Sequence, residues 1–117
     1  MIETLLVMDY RDLEIWKDAR LLVCVFLELT EPISQTAHYG TFAENINRLS
    51  FSILDDIARG YENNPNHAWK ENVQRSIDLL EHQLEHAHRK GLLNVPDTDQ
   101  VVHVLDAIKQ TLTSASL

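Results

Sequence analysis

The segment Glu81-His82-Gln83-Leu84-Glu85-His86-Ala87-His88 gathers the residues best suited to hold a metal ion. Glu85 and His88 form a Glu-x-x-His, the element that di-iron bundles take from two helices, with two further glutamates supplied by facing helices. The sequence holds no second Glu-x-x-His. His82 and His86, four residues apart, fall on one side of a helix and could share a divalent ion through their imidazoles. The His-Glu-x-x-His order of zinc proteases is absent. The balance favours a solvated helix face with incidental metal affinity, so no metal or other cofactor is expected. His82, Glu85, His86 and His88 remain the candidate ligands of an alternative, metal-binding reading.

Other reactive groups are isolated. Asp55 and Asp56 look like a paired carboxylate, but adjacent helical residues diverge by about 100°, so they do not face one another; one is expected buried and hydrogen-bonded, the other wet. Cys24 lies in the most apolar stretch of the chain and is expected to be a buried, inert thiol. Trp16 and Trp69 fall on apolar stripes and read as packing anchors. Tyr39, Tyr61 and His38 lie near loop ends without specifying a ligand. Phosphate-binding glycine loops, nucleophile elbows and Cys/His zinc spacings are absent. No catalytic residue is assigned, and the chain is expected not to be an enzyme.

The elements that carry these residues are marked by punctuation. The three prolines (Pro32, Pro65, Pro96) and three glycines (Gly40, Gly60, Gly91) fall in the zones 32–40, 60–65 and 91–96. Both residue types are costly inside a helix, by about 1 kcal/mol for glycine and 3 for proline. Their placement predicts four helices, about 12–30, 41–59, 65–90 and 97–113. Asp9 or Asp12 could cap the first. Thr41-Phe42-Ala43-Glu44 reads as a capping box for the second, which should end at Gly60 in a left-handed cap. Asn64-Pro65 should open the third and Gly91 stop it; Asp97 should open the fourth. Apolar residues recur at helical spacing in each: Leu13, Trp16, Ala19, Leu22, Val23, Phe26 and Leu27; Phe42, Ile46, Leu49, Ile53 and Ile57; Trp69, Val73, Ile77, Leu80, Leu84 and Ala87; Val101, Val104, Leu105, Ile108 and Leu112. Short loops make consecutive helices antiparallel. The expected fold is an all-α, antiparallel up-down-up-down four-helix bundle over 9–117, with residues 1–8 as an N-terminal extension.

Size and charge narrow the partners. A chain of 117 residues has room for one core. The net charge is −8 and no segment is basic, which disfavours direct binding to a phosphate backbone. The N-terminus lacks a basic region and a long apolar run, so no signal peptide is expected. No stretch approaches the roughly 20 apolar residues of a membrane span. These features predict a cytoplasmic protein. Leu21 to Leu29 carries one charge in nine residues. Leu21, Cys24 and Val25 lie off the main stripe there and, with Leu29, would leave a wet apolar patch on a lone subunit. They are expected to form an interface with further copies, so that Val25→Glu should break the assembly.

Three motifs resemble a known family. Tyr10-Arg11-Asp12-Leu13-Glu14-Ile15-Trp16 is similar to the opening motif of the four helix bundle proteins called 23S rRNA-intervening-sequence proteins. Ser52-Ile53-Leu54-Asp55-Asp56-Ile57-Ala58-Arg59-Gly60-Tyr61 is similar to their Ser-Ile-x-x-Asn-Ile-Ala-Glu-Gly-Tyr. Ser76-Ile77-Asp78-Leu79-Leu80-Glu81-His82-Gln83-Leu84 resembles a third, Ser-Leu-x-Glu-Leu-Glu-Thr-Gln-Leu. The resemblance runs in order over roughly Tyr10 to Leu112. Asp56 stands in place of Asn and Arg59 in place of Glu, so a polar contact there must be built differently, with Arg59 reaching a carboxylate. The resemblance implies a small antiparallel bundle that self-associates, as a homopentamer by analogy with ring-forming members, with an unidentified further protein partner. It also implies an alternative role as a nucleic-acid-associated accessory factor acting through such a partner, as in the related basic pentamers of diversity-generating retroelements.

Overall fold

The structure is a computed structural model and describes residues 11, 13–35, 39–63 and 68–113. It contains four helices, α1 (Glu14–Ser34), α2 (Gly40–Asn63), α3 (Ala68–Arg89) and α4 (Val95–Leu112), and no strand among the described residues. At 1.5 Å per residue they are about 27 to 36 Å long. Each helix packs on two neighbours, in the cyclic order α1, α2, α3, α4; among the described residues no Cα atoms of the diagonal pairs come within 8 Å. This is the four-helix bundle that the breaker pattern predicts. The expected extension, residues 1–8, lies outside the described residues.

The core is a single apolar column. Ile15, Ala19, Leu22 and Phe26 of α1 meet Ile46, Ile53 and Ile57 of α2 in it. Val73, Ile77 and Leu80 of α3 and Val101, Leu105 and Ile108 of α4 complete it, all essentially inaccessible to water. Burying one such side chain contributes about 1.5–3 kcal/mol, so these stripes hold the helices together.

Several boundaries differ from the sequence-based expectation. α1 runs through Pro32 to Ser34. Pro32 is exposed near the end of the helix, so the hydrogen bond it cannot donate to the Glu28 carbonyl is lost on the wet side, where water replaces it. The α1 N-cap is Leu13, which makes no side-chain capping bond; Asp9 and Asp12 lie outside the described residues. α2 starts two residues earlier than a Thr41 cap would allow, with Ala43 N–H already bonded to the Tyr39 carbonyl at 3.0 Å. It also runs past Gly60, whose φ is not positive. Asn64-Pro65 lies outside the described residues.

The α3–α4 turn follows the sequence signal at Gly91. Its φ is +72°, Gly91 N–H bonds to the His88 carbonyl and Leu92 N–H to the Ala87 carbonyl, the paired bonds of a Schellman cap. α4 opens earlier than Asp97: Asn94 is the N-cap and its Oδ1 accepts from Asp97 N–H at 2.8 Å, with Pro96 in the first turn.

Candidate functional site

The outward face of α1 carries Lys17, Arg20, Leu21, Cys24, Leu27, Glu28 and Glu31, all exposed. Leu21 keeps 49% and Leu27 45% of its surface in water. Of the four residues expected at an interface, Leu21 and Cys24 lie on this face. Leu29 is half-buried and packs on the core. Val25 corrects the expectation: it is buried within its own bundle, on the flank of α1 that also carries Asp18 and Leu29. Substituting it would damage the core, so it is not a clean probe of assembly. Leu27, expected in the core, is the outer residue instead. Leu27 stands one helical step from Phe26, which takes the inward position. Cys24 is likewise exposed and not a buried thiol.

A shallow hollow of about 230 Å3 opens on this face between Lys17, Arg20, Leu21 and Cys24. A second, of about 240 Å3, follows the outer edge of the α1/α2 seam and is lined by Trp16, Phe51, Leu54, Asp55 and Ala58. Phe51 is 48% exposed. Helical periodicity does not mark it, because it falls between two serines and off the α2 stripe; that same off-stripe position, on so large a side chain, is the signal that could find it. Trp69 is buried as expected, while Trp16 is only half-buried at the rim of this groove. Deeper in the same seam, Asn47 Nδ2 donates to Thr30 Oγ1 at 3.0 Å, and Thr30 Oγ1 donates to the Phe26 carbonyl at 2.7 Å. These bonds help to fix the α1/α2 register.

The histidine-rich segment of α3 is divided between two seams of the bundle. Glu85 and His88 line an open cleft of about 310 Å3 between α3 and α4, with Glu81, Leu84, Thr98 and Val102. The His86 ring instead sits against Phe42 of α2, 6.1 Å between centroids. His82, Glu85, His86 and His88 are all exposed. Among the described residues no three His, Cys, Asp or Glu side chains are placed to share an ion. One helix fans these side chains over two seams, and no facing carboxylate among the described residues completes a set.

Asp55 and Asp56 point apart, but the expected roles are redistributed: the hydrogen-bonded one is the exposed one, and the other is only half-buried. Asp55 is exposed and accepts from Arg59 Nη2 one turn on. Asp56 is half-buried, and loss of water pushes its carboxyl above the usual carboxylate range. Tyr39 packs against the core from the start of α2, Tyr61 is exposed near its end, and His38 lies outside the described residues. No helix is long and apolar enough to cross a membrane.

No protein-family model matches the chain, and no curated protein matches it.

Proposed function

We propose that this chain is a non-enzymatic, self-associating scaffold or interaction protein whose subunits meet through the outer face of α1. The observation that carries the reading is the pair Leu21 and Leu27, each nearly half in water beside the thiol of Cys24, on a bundle whose own core is already closed. Side chains of this size cost free energy when wet, about 25 cal/mol per Å2 of apolar surface, and a second subunit removes that cost. The motif resemblance to the 23S rRNA-intervening-sequence family supports the same reading, since some members of that family assemble into rings.

Light scattering on the full chain tests it. A mass above 13.5 kDa is expected, falling to that of a single chain in Leu21→Glu with the helical circular dichroism unchanged. A wild-type chain that stays at 13.5 kDa at high micromolar concentration would defeat the proposal.

A further inference from the structure

Around Cys24 the outer face of α1 reads the same in both directions, with the charges inverted. Leu21 and Leu27 stand three residues either side of it, Arg20 and Glu28 four, Lys17 and Glu31 seven. All seven side chains are exposed on one face of a continuous helix. From Lys17 to Glu31 the strip is about 21 Å long. We infer that a second copy of this chain docks its α1 antiparallel on this strip, across a two-fold axis passing beside Cys24. The inference rests on the self-association read above; because a two-fold contact closes at two copies, it puts a dimer in place of the five-membered ring that the resemblance implies.

Two observations select this occupant. The first is charge. The basic half of the strip, Lys17 and Arg20, meets the acidic half, Glu28 and Glu31, only when the two helices run in opposite directions; a parallel pairing sets like charges together. The two-fold axis makes each ion pair twice, giving four across the contact. Lys17 stands 3.7 Å from Glu14 of its own helix, an exposed pair within one turn that yields at little cost, and Glu31 accepts from Gln35 among its contacts. The second is shape. The hollow on this face is bounded by Lys17, Arg20, Leu21 and Cys24, spaced i, i+3, i+4 and i+7. Four residues at that spacing form the hole that receives a knob in helix–helix packing. In the antiparallel register the residue opposite the centre of the hollow is the partner's Leu27. The two-fold places a second Leu27 in the equivalent hollow, and the two Cys24 thiols meet on the axis. Helices whose axes lie about 9–10 Å apart bring facing Cα atoms to about 4.4–5.4 Å, within the roughly 4.4–6.8 Å that a disulfide spans.

The test combines charge reversal with cross-linking on the full chain. The expected wild-type mass is twice 13.5 kDa. Diamide should convert the dimer to a covalent one on non-reducing gels, two thiols losing two protons and two electrons to the N=N bond, which becomes a hydrazine; Cys24→Ser should abolish that band. Lys17→Glu with Arg20→Glu leaves an all-acidic strip, and Glu28→Lys with Glu31→Lys an all-basic one. Each pair should weaken association at least about tenfold. Combining all four substitutions should restore it, because the palindrome is then rebuilt with its signs exchanged. Helical circular dichroism should stay constant, since every site is exposed. A quadruple variant no tighter than either half overturns the antiparallel pairing. A larger assembly without the Cys24 cross-link also overturns it and leaves self-association standing, whereas a monomeric wild type overturns both.

Discussion

Gly60 lies on the buried side of α2 against Trp69, and a Cβ built there would fall on the Cγ and Cβ of the indole side chain. Its role is therefore close approach of two helices and not backbone freedom, since it sits inside α2 without a positive φ. Trp69 is anchored in the core on the other side, so it cannot step back. Gly60→Ala gains about 1 kcal/mol of helix propensity but should lose more to overpacking, a net destabilisation of about 1–3 kcal/mol by urea denaturation. An unchanged or raised midpoint would show that the indole moves aside. Asp56, earlier on the same helix, carries a different cost. Burial raises its carboxyl above the ordinary range, so the folded state holds the proton more firmly than the unfolded chain does. The charged form is then a burden at neutral pH that lifts as pH falls through the raised value. Asp56→Asn should raise the thermal midpoint at pH 7, by less than about 1 kcal/mol because the group is half-wet. The gain should vanish in acid below the ordinary carboxylate range; a gain of equal size at both pH values would remove protonation as the cause.

At the scale of elements, the helices were legible because their signals are repeated along the chain. Ile46, Ile53 and Ile57 keep one face of α2, and Val73, Ile77 and Leu80 one face of α3, and all six are buried. The Gly91 stop was legible because a positive φ is a local requirement that glycine alone meets cheaply. Gly60 and Pro32 misled for a shared reason. A breaker ends a helix only when nothing else compensates, and here Trp69 needs the missing Cβ of one while an exposed carbonyl, open to water as donor, offsets the lost bond of the other. Neither compensation is local in sequence. The apolar excess of α1 was visible, but its division was not: Val25 and Leu27 lie two residues apart, and which of them faces in depends on the rotation of α1 between α2 and α4. The His/Glu run of α3 could not be judged without knowing which residues face it. The facing side chains are Phe42 for His86 and Thr98 and Val102 for His88.

The four seams of the whole molecule are unequal, and that inequality sets where it opens. α1/α2 carries the Asn47–Thr30–Phe26 hydrogen-bond chain, and α2/α3 the Gly60–Trp69 approach. α3/α4 is the most sparsely packed and holds the open cleft above Leu84 and Val102. Across it, Lys109 Nζ donates to Glu81 Oε2 at 3.1 Å, with both side chains more than a third exposed. This bond and the Glu81 charge raise the Lys109 ammonium above its usual range. The tie therefore persists through neutral pH and is lost as pH rises beyond the ordinary lysine range. An exposed pair of this kind contributes about 0.2–1 kcal/mol. α4 is also the shortest helix, so it should be the unit that detaches first while α1, α2 and α3 stay packed. Hydrogen exchange read by mass spectrometry should then show the lowest protection for core amides in α4, at Val101 to Ile108. Lys109→Met should speed exchange there about two- to fivefold, with α1 and α2 unchanged. Equal protection across the four helices, or an acceleration spread evenly over them, would mean that the bundle opens as one unit. In that case the cleft would be a feature of its surface and not of its motion.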